Sequence, residues 1–146
     1  MKIKDIMTHS APRIPAGCTI REAAEELSVT QCSDLVVVDE DNNFLGVLSE
    51  GDLIRSALPN IQEVISSGDS LSNAYDLFVE AGRANANNSF ADLVIKSPII
   101  AHPEDEVLRI ASIMVTRQIR RLPVVENGKL VGSVCRADVC RKVMAQ

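Results

Sequence analysis

Ser49-x-x-Asp52 and Cys135-x-x-Asp138 each set an acid three residues behind a small polar residue, just after an apolar run. At the start of a helix, such a pair satisfies free backbone amides, and the carboxylate suits the positive end of the helix dipole. The same place attracts anions. In the second copy a thiol, a weak hydrogen-bond partner, stands where the cap should be. An Asp138 kept without a strong cap is harder to explain by capping alone. Arg120-Arg121 precedes the apolar run Leu122-Pro-Val-Val125. It reads as a solvated basic pair at a strand end, or as two guanidinium forks able to hold an oxyanion bidentately. The corresponding run Leu35–Val38 is preceded by Ser33-Asp34, which is negative. This inventory recognises charge and hydrogen bonds, and it does not break bonds. No nucleophile, base and acid can be grouped, and no glycine-rich phosphate loop follows a strand.

Metal chemistry is equally poorly served. His9 and His102 lie far apart, and Cys18, Cys32, Cys135 and Cys140 show no Cys-x-x-Cys spacing. The cysteines are expected to be reduced and mostly buried. Cys135 and Cys140, five apart, face different sides of one helix.

The elements that must position these residues are legible. Thr19-Ile-Arg-Glu22 is a capping box, and Ile20, Ala23, Ala24 and Leu27 follow on one helical face. Leu35–Val38 is a short buried strand, residues 39–43 a polar turn, and Phe44–Leu48 the return strand. A second helix opens at Ser49 and carries Leu53, Ile54 and Leu58. Further on, Val107, Ile110, Ala111 and Met114 form a helix face. Leu122–Val125 and Leu130–Cys135 flank Asn127-Gly128, a strong hairpin signal, and Arg136–Met144 closes the chain as a helix.

These are two copies of one unit. Asp5 falls on Asp92, a displacement of 87 positions, and the same displacement carries Ile20, Ala23, Ala24 and Leu27 onto Val107, Ile110, Ala111 and Met114. One deletion in the second hairpin brings Gly46 onto Gly132 and Asp52 onto Asp138. The expected organisation is repeat 1 over 1–58, a helical insert over 59–90 and repeat 2 over 91–146. Each repeat runs strand, helix, strand, strand, helix, and clefts between the halves are the natural ligand sites. In the insert, Ile61, Val64 and Ile65 predict a short helix. Leu71, Tyr75 and Phe78 predict an amphipathic one whose large residues are buried in the pair or across a dimer. Residues 84–89 read as a loop.

Composition bounds the function. The chain has 146 residues, 46% of them hydrophobic and 24% charged, with a net charge of −5. That composition belongs to a globular α+β protein with no general attraction for nucleic acid or anionic membranes. With no Trp, one Tyr and three Phe, base-stacking platforms are not expected. No apolar run approaches membrane-spanning length and the N-terminus lacks a signal-peptide core, so the expectation is a cytoplasmic protein.

The unit Asp5-Ile-Met-Thr8, a capped helix, Leu35-Val-Val-Val-Asp39 and Gly46-Val-Leu-Ser-x-x-Asp-Leu53 resembles a cystathionine-β-synthase (CBS) domain. The second copy, Ile119-Arg-Arg-Leu-Pro-Val-Val-Glu126 with Gly128-Lys-Leu-Val-Gly132 and Ala137-Asp-Val139, is similar to the same pattern. The resemblance covers nearly the whole chain outside the insert. It implies a tandem CBS pair of two β-α-β-β-α repeats with pseudo-two-fold symmetry and two clefts that take adenosine-containing ligands such as AMP, ADP, ATP or S-adenosylmethionine. Within that resemblance, Asp52 and Asp138 accept hydrogen bonds from ribose hydroxyls, for which two acceptor oxygens are well suited. Ser49, Arg120 and Arg121 serve the phosphate, and Thr8 joins the Asp138 cleft. The position matching Thr8 in the second repeat is the apolar Ile95. The two clefts are therefore expected to be unequal: Asp138 with the arginines and Thr8 as the better nucleotide site, Asp52 with Asp34 and Ile95 as the poorer one.

The resulting expectation is a non-enzymatic sensor with no obligatory cofactor that binds an adenine nucleotide or related adenosyl compound as its ligand and dimerises through its helices; the sequence does not name a regulated protein partner. An alternative is a structural dimerisation or adaptor module with no bound nucleotide. An enzyme related to inosine-monophosphate dehydrogenase is a third option, but 146 residues leave no room for the barrel it would need.

Overall fold

Helix α1 (Ile20–Thr30) starts where the capping box stands. Thr19 Oγ1 accepts the Glu22 amide at 3.2 Å, and Glu22 returns the contact to the Thr19 amide at 3.2 Å. Gln31 ends it in the left-handed region. In the computed structural model, which describes residues 1–68 and 70–145, α1 is preceded by β1 (Arg13–Pro15) and followed by β2 (Asp34–Val38), β3 (Phe44–Ser49) and α2 (Glu50–Ala57). The sheet order is β1-β2-β3, with β1 parallel and β3 antiparallel to β2. The strand β2 is apolar throughout because it is covered on both faces. Leu35 and Val37 join Leu48 beneath the helices, while Val36 and Val38 join Val47 on the opposite side.

After the insert comes α5 (Val107–Thr116), then β4 (Arg121–Glu126), β5 (Lys129–Cys135) and α6 (Arg136–Met144). Asn127 and Gly128 both take positive φ, 52° and 76°, as the tight turn between β4 and β5 requires. The strand expected at the head of each repeat forms fully only in the first. In the second it is reduced to one parallel bridge between Ala101 and Val124.

The two repeats exchange their leading segments. Ile3 and Ile6 lie in the core of the second repeat with Ile110, Met114, Leu122 and Val134. Phe90, Leu93 and Val94 lie in the core of the first with Ile14, Leu27, Leu35 and Leu48. Lys2 and Lys4 pin the N-terminal segment to Glu106 and Glu104 ahead of α5. Antiparallel bridges seal each exchange, Thr8 with Ser133 and Ile95 with Val47, at N···O distances of 2.9–3.1 Å. These bridges explain why the repeat preserves a glycine in each hairpin. A Cβ on Gly132 would meet the Thr8 carbonyl oxygen, and one on Gly46 the Ile95 carbonyl oxygen. A third apolar cluster, Ala11, Val36, Val38, Val47 and Leu130, lies between the sheets. The hairpin ends are tied by Phe44 N to Gly128 O at 2.8 Å and Leu130 N to Asn42 O at 3.2 Å.

The insert forms α3 (Ile61–Ser66) and α4 (Leu71–Asn85), capped by the Asn60 and Ser70 side chains. Of the two burials expected for this stripe, that within the pair is corrected here, while that across a dimer concerns a second copy. Leu71 and Tyr75 are 62% and 65% exposed, and Phe78 is half-buried. The inward stripe is instead Ala74, Phe78 and Ala81, since small residues let α4 lie close against α2 and α3. The expected loop begins later than read, because α4 runs to Asn85. Its role is local: the Ala86 and Asn88 carbonyls accept the Arg21 and Ile20 amides at 2.9 Å, completing the start of α1. The cysteines also differ from expectation. Cys18, Cys32 and Cys135 are half-buried and Cys140 is exposed.

Candidate functional site

Each of the two acids closes the first turn of its repeat's last helix. Ser49 Oγ accepts the Asp52 amide at 3.1 Å and donates to Asp52 Oδ2 at 2.9 Å. Arg55 Nη2 stands 2.5 Å from Asp52 Oδ1. The Arg55 hydrogen bond, followed by that of Ser49, holds the Asp52 carboxyl below the usual carboxylate range. In the second repeat Asp138 Oδ2 accepts the Cys135 amide at 2.9 Å and the Cys135 thiol at 3.2 Å, so the thiol does occupy the capping place. Asp138 is only 7% exposed, with Arg141 Nη2 at 3.5 Å. The two acids are alike in backbone position and unlike in enclosure.

Arg121 heads β4 opposite Cys135. Its Nη1 donates to Ser133 Oγ at 3.0 Å, and Ser133 Oγ donates to the Ser10 carbonyl at 3.1 Å. Thr8 Oγ1 lies 3.3 Å from the same Ser133 hydroxyl. The exchanged N-terminal segment thus brings Thr8 into one linked polar group with Ser133 and Arg121, beside Cys135 and Asp138. The matching place in the first repeat holds Ile95 against Val47, where no such group can form. Ser133 was not picked out from the sequence. Its signal was a lone serine in an apolar strand, at the position where the first repeat has Val47, and it is 1% exposed.

An open cavity of about 550 Å³ separates the repeats. Leu27 of α1 and Leu53 of α2 give it an apolar wall. Asp34 and Glu50 stand on the first-repeat side, with Arg120, Arg121 and Cys135 facing them. Its size falls within the range of small-molecule sites, about 300–1,000 Å³. Asp138, Asp52, Ser49 and Thr8 do not line it. Asp138 sits behind Cys135, while Asp52 and Ser49 sit beside Glu50. Deeper in, where Val36 and Val47 face Pro123 and Ser133, the sheets leave only about 10 Å³.

The charges are not divided between two clefts as the sequence led us to expect. Asp34 and the arginines line the same cavity. The physical reason is the pseudo-symmetry. Asp34 falls on Arg121 under the repeat displacement, and both head the first strand of their hairpins, which converge at the axis relating the repeats. Burial pushes the Asp34 carboxyl above its usual range. The Arg121 charge works against this, and that of Glu50 adds to it. Among the described residues, no His, Cys, Asp and Glu cluster could hold a metal ion, and no helix is long and apolar enough to cross a membrane.

Comparison with known proteins agrees with this geometry. The CBS domain family matches residues 3–59 and again 90–145, the two halves on either side of α3 and α4. CBSX1, a chloroplastic CBS domain-containing protein of Arabidopsis thaliana, is 28% identical over 134 residues, covering 86% of this chain and 56% of its own length. Among solved structures, CBSX2 in complex with AMP is 24% identical, with a TM-score of 0.73 over 99% of this chain and 96% of that one. The CBS domain pair of MJ0100 in complex with 5′-methylthioadenosine and S-adenosyl-L-methionine is 23% identical, with a TM-score of 0.62 over 97% and 94%. With two matched copies that exchange their leading segments and enclose a cavity between them, the chain belongs to the CBS domain family and is built as a CBS pair.

Proposed function

We propose that this CBS pair is a non-enzymatic regulatory module that binds an adenosine-containing ligand between its repeats. The observation that carries the reading is the placing of Asp52 and Asp138 at the starts of matching helices, next to Glu50 and behind Cys135 of one cavity that also presents Arg120 and Arg121. In this reading Asp138 accepts the ribose diol, Arg120 and Arg121 take the charged tail, and Thr8 orders Ser133 and Arg121 behind them. Asp52 and Ser49 form a second, weaker nucleoside site. The bound AMP of CBSX2 and the adenosyl compounds of the MJ0100 pair support the ligand class. The narrow crevice between the sheets gives the ligand something to act on. An adenine entering there must part the repeats, so its affinity differs between two arrangements and shifts their balance.

The module is proposed to act as a homodimer in the cytoplasm. The apolar residues Ile54 and Leu58 at the end of α2 and Leu71, Tyr75 and Leu77 on α4, all exposed in the single chain, support burial against a second copy. Four cysteines outside disulfides suit a reducing compartment. The same narrow crevice favours one other reading, a dimerisation or adaptor module that takes no nucleotide.

A thermal-shift panel with AMP, ADP, ATP and S-adenosylmethionine separates the two. A ligand held at a hundred times its Kd stabilises by about 2.7 kcal/mol, a rise of several degrees in Tm for a chain of this size. At least one of the four should give that rise. A melting temperature indifferent to all of them would favour the adaptor.

A further inference from the structure

The cavity between the repeats holds more than the arginine pair. Asp34 and Glu50 face Arg120 and Arg121 across it, two acids opposite two bases. They form no direct ion pair, although the Arg121 charge acts on the Asp34 carboxyl and both residues also line the narrow crevice behind. Among the described residues the side chains of Asp34, Glu50 and Arg120 make no hydrogen bond or ion pair, and Arg121 spends its Nη1 on Ser133. Opposite charges set around an open space of about 550 Å³ without a direct ion pair are complementary to a ligand that is itself charged both ways. Cys135 connects this space to the candidate ribose site, since it lines the cavity and donates its thiol to Asp138 at 3.2 Å. A ligand whose ribose rests on Asp138 therefore projects its 5′ substituent among these four charges.

The geometry points to selection of the ligand by the charge of that substituent: the cavity takes a zwitterionic amino-acid tail, its carboxylate on Arg120 and Arg121 and its ammonium on Asp34 and Glu50, and disfavours a polyphosphate. This rests on the adenosyl reading above and adds to it the acids that set specificity. A carboxylate matches a guanidinium fork, and an ammonium with three donors matches two carboxylates. A triphosphate gains the same arginines but brings several negative charges against two acids, one of them half-buried, where repulsion is less screened than in open water.

S-adenosylhomocysteine and 5′-methylthioadenosine share adenosine and thioether and differ in the amino-acid tail, while ATP and AMP differ only in added phosphate. Titration calorimetry of all four on the intact chain should find S-adenosylhomocysteine roughly tenfold tighter than 5′-methylthioadenosine, the worth of about one charge-assisted hydrogen bond. ATP should bind more weakly than AMP. In the double variant Asp34→Asn with Glu50→Gln, the homocysteine advantage should shrink to within about twofold and ATP should tighten roughly tenfold. Arg120→Gln, an exposed change that folding should tolerate, should reduce both the homocysteine advantage and ATP binding. If 5′-methylthioadenosine and AMP bind but the tails make no difference, the charge selection is wrong and the adenosyl reading stands. If none of the four binds, both fall together.

Discussion

Residues 1–58 and residues 90–146, produced separately, will each fail to show a cooperative melting transition. Each repeat is completed by the other's leading segment. The first fragment lacks Phe90, Leu93 and Val94, which fill its helix-side core, and leaves Ile3 and Ile6 with nothing to cover them. It also lacks Leu130, which covers Val36, Val38 and Val47 on the opposite face of its sheet. The second fragment loses Ile3 and Ile6 from its core and the antiparallel bridge from Thr8 to Ser133. Burying one large aliphatic or aromatic side chain contributes about 1.5–3 kcal/mol, and whole domains are stable by only about 5–15 kcal/mol. Losing three or more such side chains removes the margin. Differential scanning calorimetry on each fragment, with near-UV circular dichroism, provides the check. A cooperative transition in either fragment alone would mean that a repeat can cover both faces of its own sheet.

Phe90→Ala should destabilise the intact chain by about 3–5 kcal/mol, the range for truncating a fully buried aromatic residue. At this chain length that lowers Tm by about ten degrees or more. Phe90 is 1% exposed and packs with Ile14, Leu27, Leu35 and Leu48, although it lies beyond the insert, just ahead of the second repeat. Phe78→Ala provides the contrast, because Phe78 is half-buried on α4, and its loss should be well under half as large. Urea unfolding of both variants measures the difference. Equal effects, or a Phe90 variant that unfolds with the parent, would show that the exchanged segment is not part of the first core.

The local parts of this fold were readable from the sequence because local chemistry dictates them. Thr19 and Glu22 cap α1 in either context, and Asn127-Gly128 turns the second hairpin because both residues tolerate positive φ. The repeat also showed that Ile3 and Phe90 hold equivalent places. It could not show which core each enters, since a segment at the head of a repeat satisfies the same pattern in its own half or in the other. The paired glycines, Gly46 and Gly132, were the available clue to close backbone approach. The insert misled for a different reason. Leu71, Tyr75 and Phe78 make a good helical stripe by hydrophobicity, but the neighbouring stripe of Ala74, Phe78 and Ala81 packs closer. At the site, the acids and arginines were identifiable by type and spacing. That Asp34 and Arg121 share one cavity follows only from how the two strand heads meet, which spacing within a repeat does not encode.

The central claim is that a nucleotide binds between the repeats chiefly against Asp138, with its polar group of Thr8, Ser133 and Arg121, and only weakly against Asp52 with its apolar Ile95. Calorimetric titration of AMP into Asp138→Ala and Asp52→Ala tests it most directly. Removing the Asp138 acceptor should weaken AMP roughly tenfold or more, the loss expected for charge-assisted hydrogen bonds to a diol. Removing Asp52 should leave the tighter binding step within about twofold of the parent, since that acid belongs to the second site. AMP binding abolished by Asp52→Ala and intact in Asp138→Ala, or unchanged in both variants, would contradict the account.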